Sequence, residues 1–423
     1  MKINIDQVAK IEGHLGFMGH ILEGDVAKAR VEVHEGARLI EGILVGRRYD
    51  DAPLITSRIC GVCPIVHNIC SLKSMEDALG VEVSEGVKIL RKILLMSQML
   101  QSHSLHLFFL VLPDYFKEDE TIKLTKEMEK ETEQALRIRA FSDKVAEVIG
   151  GRAIHLTNTK IGGFGRFPDR KELQELQEES RELLLEAVTL AEVFKDLSYP
   201  DFSRKTEFIS ITNSEEYDFY EGKINASDEE PIDVNMFLPR IKEMESPFDV
   251  VKRGQYKGDS YMVGSLARIN NNKNDLKGEA KKLAEAFFKE DISYNTFHNI
   301  YAQMIEVIYC IESIDNLIEK FIKGGYLEED IIAKDDFTPK EDCWGVGAVE
   351  APRGTLFHIY NVGSDGNIKK GDVISPTAQF LQNLENDLKV FLPDLKNMDK
   401  EERERKIKMM VRAYDPCISC ATH

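Results

Sequence analysis

Arg58–Ile59–Cys60–Gly61–Val62–Cys63–Pro64–Ile65–Val66–His67 sets two thiols around a glycine, just ahead of a proline and an apolar run. Gly61 lets the backbone turn sharply, so both sulfurs can point to one ion. A second pair stands at the other end of the sequence, in Asp415–Pro416–Cys417–Ile418–Ser419–Cys420–Ala421–Thr422–His423. Together the pairs supply four thiolates, enough to close a soft metal site. Nearly the whole chain separates Cys63 from Cys417, so a shared site would tie both ends into one core.

Two plainer readings compete. A structural zinc site of four cysteines is the commoner use of such pairs, but zinc knuckles usually bring their pairs within a few tens of residues. A thioredoxin-like dithiol needs a βαβ context that neither pair has. Both readings leave Arg58, His67, Asp415 and His423 unexplained. The other cysteines, Cys70, Cys310 and Cys343, are scattered and read as buried small hydrophobes. They cannot hold a four-cysteine iron–sulfur cluster. No G-x-G-x-x-G opens a βαβ unit, so no flavin or nicotinamide site is expected in this chain.

Working outward, residues from Ile3 to about Glu35 alternate apolar and polar around Gly13 and Gly16, which predicts a short antiparallel β element. From Ala37 the spacing turns helical, with Leu39, Ile43 and Leu44 on one face. Ile65–Ala78, Val87–Phe116, Glu118–Val148, Arg170–Phe194, Leu276–Phe321 and Ala378–Val390 all read as helical. Residues 205–263 are richer in β-branched and turn residues and predict a small β-containing insertion. Val346–Ile374 reads as strands and turns. The expected fold is α+β, mainly α: one domain over residues 1–423, a core bundle of long helices with small peripheral β elements.

Composition narrows the function. At 423 residues, 43% hydrophobic and 30% charged, the chain reads as an ordinary globular protein. A net charge of −18 argues against nucleic acid and against docking on anionic lipid. No secretory signal and no bilayer-length apolar run is visible, so a cytoplasmic protein without direct membrane insertion is expected.

The R-x-C-G-x-C-x-x-x-H and D-P-C-x-x-C-x-x-H signatures resemble the two metal-binding motifs of [NiFe] hydrogenase large subunits. Further stretches extend the likeness in the right order: Ile11–Glu12–Gly13–His14, Gly151–Arg152–Ala153–Ile154–His155 with Gly162–Gly163, Ser260–Tyr261–Met262–Val263–Gly264 with Leu266–Ala267–Arg268, and Glu350–Ala351–Pro352–Arg353–Gly354.

The resemblance implies a catalytic subunit that splits H2 reversibly into protons and electrons. All four cysteines would bind nickel, Cys63 and Cys420 bridging to an iron with CO and CN ligands, Cys60 and Cys417 terminal. Cys417 would take the proton and Glu12 relay it. His67 would hydrogen-bond a cysteine sulfur and tune it, and Arg353 would face the open metal position. Thr377 would hydrogen-bond a cyanide, and Asp415 would pair with Arg353 or cap its loop. Glu41 and His423 would hold a buried Mg2+ or Fe2+. His14 is expected to hold its own loop. One departure stands out: where many members carry His-Asp-His, the matching run here reads Gln101–Ser102–His103–Ser104–Leu105–His106, with serine in place of the acid. His103 and His106 are read as packing histidines or proton carriers.

Electrons must leave by a partner, so the resemblance implies a small subunit with iron–sulfur clusters and further subunits binding flavin or nicotinamide. It also implies a maturation protease acting at the C-terminal histidine. The alternatives within the class are a hydrogen sensor and a membrane-bound energy-converting enzyme. The His at the C-terminal motif favours the cofactor-coupled group.

Overall fold

The computed structural model describes residues 1–22, 25–118, 121–334, 337, 339 and 341–423. The amino-terminal β element is a meander in which Lys2–Ile5 pairs with Leu15–Leu22, and Leu15–Leu22 with Asp25–Val33, all antiparallel. Alternation places Leu15, Phe17, Val31 and Val33 inside.

The helical segment expected from Ala37 shrinks to Ile40–Leu44. Leu44 is buried, but Leu39 and Ile43 are exposed. Little more than one turn cannot bury a stripe, and Leu39 stands just before it in the left-handed region at φ 54°.

The core is built on long helices. Pro64–Leu79 starts on a proline and stops at Gly80 in the left-handed conformation. Glu85–Leu105 is capped by Ser84, whose hydroxyl accepts from the Val87 amide, and runs on through a π-helical stretch, His106–Val111. Glu129–Gly150 and Arg170–Lys195 follow, the latter capped by Asp169. Asn299–Gly324 lies between Glu85–Leu105 and Arg170–Lys195. Its residues 299–311 are buried on every side, the polar Gln303 and Glu306 among them being paired with His106 and with Arg268 and His103. Pro376–Phe391 and Lys400–Ala413 complete the bundle. The fold is therefore mainly α with peripheral β elements. Among the described residues no helix is long and apolar enough to cross a membrane.

Two helical expectations need correction. Leu276–Phe321 is not continuous: Gly278–Phe287 ends, an irregular stretch intervenes, and Asn299–Gly324 begins. Asn295 makes the break by accepting the Phe297 amide at 3.0 Å, a local bond that competes with helix. Glu118–Val148 divides into Thr121–Glu127 and Glu129–Gly150, and its residues 119 and 120 lie outside the described ones. Residues 205–263 hold the strands Glu207–Thr212, Lys223–Ala226, Ile241–Met244, Arg253–Tyr256 and Tyr261–Met262.

The carboxy-terminal sheet decides where the first cysteine pair sits. Cys343–Ala351, Gly354–Val362 and Ile368–Ile374 form an antiparallel meander under the Pro64–Leu79 helix. The approach is backbone to backbone. A Cβ on Gly345 would lie 2.0 Å from the Ser74 carbonyl oxygen, and one on Gly347 would lie 2.3 Å from that of Cys70. Only glycine lets the helix settle there.

Candidate metal centre

Cys63 is the N-cap of the Pro64–Leu79 helix, so that helix aims the first pair inward. The second pair is brought up by the segment after Lys400–Ala413. Asp415 takes a left-handed φ of 52°, tolerated by Asp, and turns the chain into Pro416–Cys417. Cys417 forms an isolated parallel bridge with Glu12, and the Ile418 amide donates to the Glu12 carbonyl at 3.1 Å. Gly13 has no room for a side chain: a Cβ would meet Ile418 Cβ at 2.6 Å. Both ends of the chain thus meet in the core.

All four sulfurs lie within 4.8 Å of one another. Cys63 and Cys420 Sγ are 3.0 Å apart, Cys60 and Cys417 Sγ 3.4 Å, and Cys417 and Cys420 Sγ 2.9 Å. The four thiols are buried and none is in a disulfide. Hydrogen bonds from its neighbours, Cys417 first, hold the Cys60 thiol well below its ordinary value, while burial pushes Cys417 and Cys420 well above theirs. One thiolate is stable in such a nest; four need a bound cation to balance them. The donor set therefore fits a soft metal centre.

A small cavity adjoins the sulfurs, lined among others by Cys63, Cys417, Cys420, His67, Arg353 and Thr377, but not by Cys60. Arg353 is locked in place. Its Nε donates to the Asp415 carbonyl at 2.6 Å, and its Nη2 pairs with Asp415 Oδ1 at 2.9 Å. Its Nη1 donates to the Ser102 hydroxyl at 3.3 Å, and Asp415 carries the carboxylate paired with it. Burial works against the Arg353 charge, and Asp415 with the neighbouring thiols outweighs it.

Glu12 connects the buried sulfurs to the half-exposed rim. Its Oε2 is 3.2 Å from Cys417 Sγ and accepts the Ser419 amide at 2.9 Å, while Oε1 accepts the Ser419 hydroxyl at 2.5 Å. Thr377 Oγ1 accepts the Cys417 amide at 3.0 Å. His67 lines the cavity, but its Nδ1 faces His358 Nε2 at 3.1 Å, so only Nε2 is left for the metal side. His423 Nε2 lies 3.8 Å from Glu41 Oε1 and 2.6 Å from the Val373 carbonyl. Burial pushes the Glu41 carboxyl up, with His423 pulling the other way. His14 Nδ1 lies 3.2 Å from the Gln7 amide nitrogen.

His103 and His106 are buried away from the cavity, His103 on Glu306 at 2.9 Å and His106 on the Gln303 side chain at 2.6 Å. Cys70 and Cys310 are buried, whereas Cys343 is only half-buried, because it opens the sheet at its edge. Arg58 is exposed. Sequence reasoning passed over Ser419, His358 and Tyr360. Ser419 had a signal, since it sits between the two cysteines of its motif.

The nickel-dependent hydrogenase family model matches residues 38–135 and 164–423. The chain is 34% identical over 428 residues to sulfhydrogenase 1 subunit alpha of Pyrococcus furiosus, covering all of this chain and 98% of that one. It is 27% identical over 471 residues to the NAD-reducing hydrogenase HoxS subunit beta of Cupriavidus necator, covering 100% and 94%. Among solved structures, an NAD+-reducing [NiFe]-hydrogenase in the H2-reduced state superposes with a TM-score of 0.90 at 26% identity, covering 100% and 99%.

Proposed function

The chain belongs to the nickel-dependent hydrogenase family and is the catalytic subunit of a nickel–iron hydrogenase, and we propose that Cys60, Cys63, Cys417 and Cys420 hold its nickel, with Cys63 and Cys420 shared with an iron carrying CO and CN. The observation that carries this reading is the convergence of four buried sulfurs, from opposite ends of the chain, with a carboxylate 3.2 Å from one of them. When bound, the metal pair supplies the Lewis acid against which H2 is polarised.

The protein supplies the base. Cys417 Sγ takes the proton, and Glu12 Oε2 receives it. A carboxylate so placed is a general base within direct reach. The Ser419 amide and hydroxyl hold both Glu12 oxygens, so the acceptor is oriented before the proton arrives. Arg353, held by Asp415 and Ser102, presents a fixed positive charge at the cavity wall. The Thr377 oxygen already accepts from Cys417, leaving its hydroxyl proton for a cyanide on iron. Glu41, His423 and the Val373 carbonyl offer an oxygen-rich donor set for Mg2+ or Fe2+.

Among the described residues the four-cysteine cluster is the only group of potential metal ligands of this kind, so electrons leave through a partner subunit carrying iron–sulfur clusters. By likeness to the NAD-reducing relative, further subunits binding flavin or nicotinamide set the acceptor. A cytoplasmic location accompanies this reading. Metal analysis with infrared spectroscopy on the anaerobically purified complex tests it. Nickel and iron at one each in this subunit, with CO and CN bands, are expected; zinc without nickel and no bands would overturn it.

A further inference from the structure

His67 begins a buried chain of polar groups that leads away from the cavity and that the proton route through Glu12 does not use. His67 Nδ1 lies 3.1 Å from His358 Nε2, His358 Nδ1 lies 2.7 Å from the Tyr360 hydroxyl, and that hydroxyl lies 3.0 Å from Ser71 Oγ. The four residues are at most 1% exposed. They come from two elements already pressed together, the Pro64–Leu79 helix and the Gly354–Val362 strand.

The 3.1 Å approach of the two imidazole nitrogens and the 2.7 Å approach of the hydroxyl to His358 each require a proton on one side facing a lone pair on the other. A neutral ring carries one proton and one lone pair. Two neutral imidazoles in series cannot choose their tautomers independently, because the N–H of one must meet the lone pair of the other. The choice passes to Tyr360. A phenol is a stronger donor than an aliphatic hydroxyl, and an imidazole lone pair a better acceptor than a serine oxygen. Tyr360 therefore donates to His358 Nδ1, at 2.7 Å against 3.0 Å to Ser71, and accepts from Ser71. His358 must then carry its proton on Nε2 and donate to His67 Nδ1. That leaves the His67 proton on Nε2, the ring nitrogen not engaged by His358, in the residue that lines the cavity.

We propose that His358 and Tyr360 are positioning residues that fix the tautomer of His67, so that His67 offers the metal cavity an N–H and never a lone pair. The inference rests on the reading of the four cysteines as a nickel–iron site. An N–H donated to a thiolate draws electron density from the metals, and such outer partners tune a centre as ligands do.

The test is Tyr360→Phe in the complete complex, read by nickel content and by the CO and CN stretching bands. Loss of the hydroxyl frees His358 to invert, which withdraws the N–H from the cavity. The bands should move together to lower wavenumber while nickel stays at one per subunit. Ser71→Ala should leave them in place, since Ser71 only donates to Tyr360. His358→Gln places a carboxamide NH2 where Nε2–H was, and added to Tyr360→Phe it should return the bands to their original position. Bands that do not move in Tyr360→Phe overturn the proposal alone. If Tyr360→Phe does not retain nickel, His358→Gln by itself decides: original band positions support the relay, displaced ones overturn it. Absence of bands from the unmodified enzyme refutes the nickel–iron reading and takes this inference with it.

Discussion

Replacing Glu12 by Gln separates proton transfer from every other property of the site. Glu12 makes three contacts, with Cys417 Sγ, the Ser419 amide and the Ser419 hydroxyl. A carboxamide keeps two of them: its oxygen accepts the Ser419 amide, and its NH2 donates to the Ser419 oxygen. What it cannot do is take a proton from Cys417. The structural cost should stay near one ordinary hydrogen bond, about 1 kcal/mol. The catalytic cost should be that of losing a positioned general base, roughly 10²- to 10⁴-fold in rate, or about 3–5 kcal/mol of barrier. H2-dependent dye reduction and exchange between H2 and deuterated water both need the proton to leave, so both should fall. Nickel content, the infrared bands and thermal stability should not move. Ser419→Ala, which only loosens the carboxylate, should fall between the wild type and Glu12→Gln. A fully metallated Glu12→Gln enzyme with undiminished turnover and exchange would refute the route through this carboxylate.

Three further outcomes are expected. Thr377→Val removes the hydroxyl oxygen that accepts from the buried Cys417 amide and should cost about 1–3 kcal/mol in denaturant unfolding, while Thr377→Ser should restore it. Gly345→Ala drives a Cβ against the Ser74 carbonyl and the Ala78 amide, so the helix carrying Cys63 must shift; stability should drop by about 1–3 kcal/mol or more, and bound nickel with it. Burial lowers His298 to about 4, below its unfolded value. Its contribution to stability is therefore complete above about pH 6.5 and is lost as pH falls toward 4, by up to about 3 kcal/mol. His298→Asn, which can keep the bond to Ser293, should flatten acid unfolding in that window; an unchanged slope would count against a neutral, half-buried His298.

Much of this protein is written in local sequence. The spacing within each cysteine pair, the proline that opens the Pro64–Leu79 helix, the alternation of Leu15–Leu22 and the 3.6-residue stripe of Arg170–Lys195 are properties of a few neighbouring residues, and each acts wherever it is placed. The two motifs carried the family for the same reason, since a metal's demand on ligand type and spacing survives in short stretches. Tertiary structure decided what depends on residues far apart. Nothing near Ser102 says that it faces Arg353, nothing near His67 says that it meets His358, and Ser419 reads as a spacer until Glu12 arrives from the other end of the chain. Leu39 and Ile43 show the converse: in a single turn that buries only Ile40 and Leu44, the rest of the helical pattern stays exposed. Burial supplies the rest of the difference. Only once these groups are enclosed does a missing partner cost free energy, and that cost selects one arrangement from the many the sequence alone permits.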